Sequence, residues 1–256
     1  MEGADTIDLS REGPIAVITL NRPQVRNAID LAAAHRLAAA VDAVEADPAI
    51  RVAIITGAGE VAFSAGADLR ARARGEGRAV IAPHGFAGFV RRPRRKPFIA
   101  VVNGFAVGGG LEIALACELV VAAPHASFSL PEPMRGLIAG GDCLPSVFRR
   151  LPPALAWEVA LAGRRLTAEE ALTAGMVNRV APDALGAARE MARAVIVGAP
   201  RAIEGTIALA RRLMAAAPPD YDALAERTQA ALMATADAAE AARAFAEKRA
   251  PVWTDA

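Results

Sequence analysis

Cysteine is scarce in this sequence. There are two in 256 residues, Cys117 and Cys143, and they form no CxxC pair, so a disulfide framework has no support. The three histidines, at 35, 84 and 125, make no HExxH arrangement, and no zinc ligand set can be assembled. Aromatic residues amount to 4%, and the arginine-rich stretch around residues 70–96 is interleaved only with Phe86, Phe89 and Phe98, which gives base stacking little support. Although 54% of the chain is hydrophobic, much of that is alanine, a helix former. No apolar run reaches the roughly 18–20 residues needed to span a bilayer. The opening MEGADTIDLSREG is acidic and polar and lacks the order of a secretory signal; a cytoplasmic protein with no membrane partner is expected. No GxGxxG follows a strand, and GxxxxGK[ST] and GxSxG do not occur, which argues against a dinucleotide fold, a P-loop and an α/β-hydrolase triad. The net charge of +1 gives the chain as a whole no general affinity for nucleic acid.

What is present is an alternation of short apolar runs with helical patterns. PIAVITL (14–20) is β-branched and bounded by Gly13 and the Asn21-Arg22-Pro23 turn, and reads as a strand. Residues 51–56 and 97–103 are near-continuous apolar runs, the mark of strands covered on both faces, and 119–123 is a fourth strand. Between the first two lies a helix capped by Asp30, with Leu31, Ala34, Leu37, Ala38 and Val41 on one face. Gly104–Gly110 reads as a glycine-rich turn, with a helix over 111–117. After Pro152 the chain becomes helical. Thr167 and Glu170 form a capping box, and a short strand over 176–180 precedes helices up to about Lys248. The expected organisation is an α/β part over 1–180 and a helical region over 181–256.

The chemistry concentrates in NGFAVGGGLEIALACELVV, residues 103–121. Three glycines between a buried strand and a helix start expose backbone N–H groups that suit an anion or a developing oxyanion; a tight packing turn would read the same way. Glu112 stands in the first turn of that helix, ahead of five apolar residues. A carboxylate there is costly to bury, and stability alone rarely selects it. Glu132, in SFSLPEPMRG, is flanked by prolines that stiffen its backbone. Glu158 is a third acid among apolar residues, read as facing solvent. A second small-residue loop, Ala65-Gly66-Ala67-Asp68, follows a buried strand, and Asp68 suits the N-cap of the next helix.

FSAGADL, then NGFAVGGGLEIALACELV, then SFSLPE with its second acid 20 residues after the first, closely resembles the crotonase (enoyl-CoA hydratase) superfamily. GRRLTAEEALTAGMVNRV and FAEKRAPVW extend the resemblance over about residues 7–253. It implies a ClpP-like spiral of β-β-α units with a helical C-terminal region that mediates trimerisation, two trimers commonly stacking as a hexamer. It implies an acyl-CoA thioester as substrate, with no metal and no redox cofactor. By position, Glu112 and Glu132 match the catalytic acids, and the backbone N–H groups of Ala67 and Gly109 match the oxyanion hole. Arg26, Ala65, Gly66, Asp68, Leu69 and Lys248 match positions along the CoA moiety. The implied activity is hydration of a 2-enoyl-CoA. The GRRLTAEEA and FAEKRAPVW segments are similar also to carnitinyl-CoA dehydratases, which use the same acids on a charged acyl group.

Two features stand apart. GLIAGGDCLPSVFRRL (136–151) departs from the family's usual proline-glycine-rich stretch, and Asp142 and Cys143 are unusual beside the acyl pocket that the resemblance implies. Arg70, Arg72, Arg74, Arg78, Arg91, Arg92, Arg94, Arg95 and Lys96 crowd into 27 residues against one acid, Glu76. They suit either a solvated surface or a rim that attracts the CoA phosphates; RNA is a weaker third reading.

Overall fold

The computed structural model describes residues 6–140, 143–214 and 221–252. Its strands and helices, in chain order, are β1 (Ile7–Glu12), β2 (Ile15–Leu20), α1 (Leu31–Ala46), β3 (Val52–Gly57), β4 (Ala62–Ser64), α2 (Leu69–Ala73), β5 (Val80–Ile81), β6 (Gly85–Phe86), β7 (Phe98–Val102), β8 (Phe105–Val107), α3 (Gly109–Ala116), β9 (Leu119–Ala122) and β10 (Ser127–Ser129). They continue with α4 (Cys143–Arg150), α5 (Pro153–Ala162), β11 (Leu166–Thr167), α6 (Ala168–Thr173), β12 (Arg179–Val180), α7 (Ala184–Ile196), α8 (Pro200–Met214), α9 (Tyr221–Met233) and α10 (Ala236–Glu247).

One sheet of six strands runs β1-β2-β3-β7-β9-β12, and a second of four runs β11-β10-β8-β4. Successive strand pairs divide between them. β3, β7 and β9 enter the large sheet, while β4, β8 and β10 enter the small one. A helix follows each pair: α2, α3, and α4 after a short 3-10 turn at Pro133–Arg135. This is the spiral of β-β-α units that the sequence leads one to expect. From β2 to β12 all pairings in the large sheet are parallel.

The near-continuous apolar runs have a direct cause. Alternate residues of β2, β3 and β7 point to opposite faces, and both faces are covered. Ala16, Ile18, Ala53, Ile55, Ala100 and Val102 pack into the main core with α1 and α3. Ile15, Val17, Val52, Ile54, Ile99 and Val101 pack against Ala184, Ala187, Ala188 and Ala192 of α7. The helical region after residue 180 therefore begins by closing the outer face of the large sheet. Small alanines on α7 let the helix lie close to the β-branched strands.

Local signals translate directly. The Asp30 side chain accepts from the Ala33 N–H at 2.7 Å. Thr167 and Glu170 make both bonds of the capping box. Glu158 is exposed and pairs with Arg164. The turn expected over Gly104–Gly110 is instead β8 followed by the first residues of α3. β8 is pinned between β4 and β10, and a β-carbon at Gly104 would lie 2.4 Å from Val61. β1, which the polar N-terminus does not advertise, is an edge strand that buries only Ile7.

The basic run divides three ways, with Arg70 and Arg74 exposed on α2 and at its C-terminus. Residues 92–96 belong to the core and its edges. Arg94, 4% exposed, stacks at 4.1 Å from the Phe89 ring and 4.9 Å from that of Phe98, and donates to the carbonyls of Phe89 and Ala116. Lys96 donates to the Val44 and Asp47 carbonyls at the C-terminus of α1, where a cation suits the helix dipole. Arg92 and Arg95 pair with Asp42 and Glu45. Arg72, Arg78 and Arg91 face the cleft described next.

Candidate active site

The cleft lies where α3 starts, between the 65–69 loop, the β5–β6 hairpin and the 3-10 turn after β10. Its volume is about 220 Å³, and Ala65, Ala67, Asp68, Leu69, Phe86, Gly108, Gly109, Glu112 and Glu132 are on its walls. The residues singled out as acids and oxyanion donors thus converge in one place.

Each glycine of the triplet meets a different neighbour. Gly108, at φ +55°, caps α3, and a β-carbon there would sit 2.7 Å from Glu132 Oε1. One at Gly109 would strike the Phe86 ring at 2.5 Å, and one at Gly110 the Ser64 carbonyl at 2.2 Å. Backbone, ring and carboxylate can approach only because these side chains are missing.

The two donors lie side by side. Gly109 is the first residue of α3, so its N–H has no acceptor within the helix. The Ala67 N–H bonds to no acceptor among the described residues, whereas its neighbours are engaged. Gly66 accepts from the Ile29 N–H at 2.8 Å, and the Asp68 N–H donates to the Ile29 carbonyl at 2.9 Å. A β-carbon at Gly66 would fall 2.8 Å from Gly109 N, which brings the two segments into contact. Beneath them, buried Ser64 donates to the Asn27 carbonyl at 2.8 Å and accepts from the Gly66 N–H at 3.1 Å. Asn27 in turn bonds Ala58 and Ala62. The donors are held by a closed network.

Glu112 is 5% exposed, in the first turn of α3. Glu132 opens the turn after β10, and its Oε2 is buried with no hydrogen-bond partner among the described residues. Burial pushes its carboxyl above the ordinary carboxylate range, against weaker opposing pulls from its own backbone N–H and from Arg135. A buried carboxyl whose neutral form is favoured, beside a second carboxyl, suits proton transfer.

Asp68 does more than line the wall. It caps α2 through the N–H groups of Arg70 and Ala71 and pairs with Arg22 at 3.1 Å. Its burial works to raise its pKa, but these partners hold it below the usual value. Arg22 also reaches Asp30 at 2.8 Å, tying the loop before α1 to the loop before α2. Arg26 touches this assembly through its backbone, its carbonyl accepting from the Ala65 N–H at 3.0 Å; its side chain is exposed, outside the cleft walls. Lys248 caps the C-terminus of α10 in the left-handed conformation and is likewise exposed and off the cleft.

The 136–151 segment contributes Leu137, Ile138 and Gly140 to the cleft. Cys143 does not line it: it starts α4 and is buried in the main core. Asp142 and Trp253 lie outside the described residues. Sequence reasoning did not single out Phe86, Arg22, Gly108 or Arg135 for individual roles. Gly108 belonged to a motif already in view, but nothing in the sequence marks the other three.

Comparison with known proteins agrees with this geometry. The family model described as enoyl-CoA hydratase/isomerase matches residues 10–256. A carnitinyl-CoA dehydratase of Salmonella arizonae is 42% identical over 258 aligned positions, covering 98% of each chain. Among solved structures, a carnitinyl-CoA hydratase from Mycobacterium avium superposes with a TM-score of 0.91 at 38% identity, over 99% of this chain and 100% of its own. An enoyl-CoA hydratase from Mycobacterium tuberculosis H37Rv gives 0.78 at 39%, over 99% and 100%. The chain belongs to the enoyl-CoA hydratase/isomerase family of the crotonase superfamily.

Proposed function

We propose that this protein is a hydro-lyase that adds water reversibly, in the syn sense, across the double bond of a 2-enoyl-CoA thioester. The observation that carries the proposal is the convergence of Glu112, Glu132 and the Ala67 and Gly109 N–H groups on one cleft. The thioester oxygen accepts from the two N–H groups. Glu112 takes a proton from a water held between the carboxyls, and the resulting hydroxide bonds to C3. The π electrons pass to the thioester oxygen as an enolate, which the two donors stabilise. Such a donor is worth about 2.7–4 kcal/mol. Glu132, whose protonated form burial favours, delivers its proton to C2 as the enolate collapses. The reverse sequence is dehydration. Acid–base chemistry suffices, and no metal or redox cofactor enters. CoA is read as leaving over Ala65–Leu69, its adenine and pantetheine parts passing the segment around Arg26, with Lys248 of a neighbouring subunit reaching its phosphates.

A second reading, dehydration of a carnitinyl thioester, draws support from the names of the relatives. Both readings need the same acids. Hydration of crotonyl-CoA and of crotonobetainyl-CoA by the wild-type protein separates them, and failure to hydrate any 2-enoyl-CoA, whether its acyl end is neutral, cationic or anionic, refutes the hydro-lyase assignment.

The expected assembly is a trimer or a dimer of trimers. Trp157, Leu161, Phe245 and Met134 are large apolar side chains exposed by 54%, 64%, 61% and 44%. They lie on α5, α10 and the 3-10 turn between them, which pack together, and contiguous exposure of this kind suits an interface. Analytical ultracentrifugation tests it; a monomer at micromolar concentration refutes it. Among the described residues no helix is long and apolar enough to cross a membrane, and a cytoplasmic location remains part of the proposal.

A further inference from the structure

The next step rests on the hydro-lyase reading and concerns the far end of the acyl group. Four arginines line the cleft: Arg72, Arg78, Arg91 and Arg135. Of the carboxylates on the same walls, Asp30 and Asp68 are ion-paired with Arg22, and Glu112 and Glu132 are the reacting pair. Glu226, exposed on α9, is the remaining carboxylate on these walls. Among the described residues no carboxylate lies within ion-pair distance of Arg72, Arg78 or Arg135.

Of the four, Arg135 is the one on the same turn as Glu132. Contacts run in order from Gly66 to Gly109, and from Gly108 to Glu132; Arg135 ends the 3-10 turn that follows Glu132. If the thioester oxygen sits on the Ala67 and Gly109 N–H groups and the CoA chain leaves over Ala65–Leu69, the acyl tail must continue past Glu132. Arg135, Leu137 and Ile138 are the wall residues that follow Glu132 along the chain, and such a tail would meet them. The Arg135 guanidinium rests over the Phe245 ring, 5.6 Å from its centroid. That contact orients the group without using its N–H donors, and a guanidinium so held suits two-pronged recognition of a carboxylate.

We propose that Arg135 is a specificity residue that binds a carboxylate at the distal end of the acyl chain. The preferred substrates are then 2-enoyl thioesters of dicarboxylic acids, and a trimethylammonium end, as in a carnitinyl thioester, is repelled.

The test measures binding of unreactive saturated thioesters to the full chain by calorimetry: adipyl-CoA, hexanoyl-CoA and γ-butyrobetainyl-CoA. The expected order is anionic, neutral, cationic, with adipyl-CoA ahead of hexanoyl-CoA by on the order of tenfold to a hundredfold, the worth of one hydrogen bond to a charged group. Arg135→Gln should bring that ratio close to one, Arg135→Lys should keep part of it, and Arg135→Glu should reverse the order. Equal affinity of the wild type for all three overturns the proposal. So does an equal weakening of all three and of free CoA in Arg135→Gln, which would assign the guanidinium to a CoA phosphate or to the fold. Because binding is read without turnover, the two levels separate. A charge preference in a protein that hydrates no enoyl-CoA keeps this inference and removes the hydro-lyase reading. Hydration without a charge preference does the reverse.

Discussion

Glu132 Oε1 lies 2.7 Å from the point where a β-carbon on Gly108 would stand. The acid approaches the start of α3 through the space of a missing side chain, so the glycine and the carboxylate are one device. Gly108→Ala introduces that methyl and also strains a residue at φ +55°. Glu132 must then move by a few tenths of an ångström or more. Since displacements of about 1 Å at a catalytic group cost about 10²-fold, hydration of crotonyl-CoA should fall by about that factor, in protein whose circular dichroism is unchanged. Wild-type kcat in Gly108→Ala would show that Glu132 needs no such clearance.

Glu112→Gln and Glu132→Gln remove the proposed base and the proposed acid. Each should lower kcat by about 10²–10⁴, the usual range for general acid–base groups. The double variant should be little slower than the worse single one, because the two act on one water and one double bond. Steady-state rates on folded protein check this; a loss confined to one variant would assign both proton transfers to a single residue.

Glu132 also makes stability depend on pH. Its folded-state pKa is raised, chiefly by burial, so the native state binds its proton more tightly than the unfolded chain. The favourable contribution is present below the ordinary carboxylate pKa and is lost as pH rises through the raised one. Glu132→Gln, neutral at every pH, escapes that loss. Its Tm should exceed the wild type's at pH 8, and the gap should close toward pH 4. A gap that is constant across this range would mean that Glu132 titrates normally. The expected direction, more stable and less active, is what a strained catalytic group predicts.

The basic run supplies a contrast between identical charges. Arg94 is buried between two phenylalanine rings with two carbonyl acceptors, and burial lowers its pKa to about 10. Arg94→Ala leaves a cavity and unmet carbonyls, and should cost about 3–5 kcal/mol in urea unfolding. Arg74 is exposed and pairs with Glu76 at 2.6 Å; Arg74→Ala should stay within about 0.5 kcal/mol. Equal effects at the two positions would mean that the run behaves as one solvated surface.

The difference between Arg94 and Arg74 also marks what the sequence could disclose. Strands β2, β3, β7 and β9 are readable because both faces are buried and their apolar runs are unbroken. β4, β8 and β10 are three residues each, too short to show a period, and they exist because each pairs with a neighbour. The acids are readable for a similar reason: Glu112 among apolar residues is a local contradiction, which a functional site resolves. Arg22, Phe86 and Arg135 offer no such contradiction. Each becomes meaningful only when chain-distant residues (Asp68, Gly109, Phe245) arrive beside it.

Ser64 ties these levels together. It is fully buried at the end of β4, donating to the Asn27 carbonyl and accepting from the Gly66 N–H, one residue before the Ala67 donor. Ser64→Ala strands both partners, which should cost about 1–3 kcal/mol of stability. The loosened loop also holds the proposed oxyanion donor less well, and an interaction of that kind strengthens as charge develops on the thioester oxygen. The loss should therefore appear in kcat, by about tenfold, with KM changed far less. Rates for crotonyl-CoA alongside urea unfolding separate the two effects. Lost stability with an unchanged kcat would make Ser64 a packing residue only, and would mean that the Ala67 N–H keeps its aim through the Ile29 bridge alone.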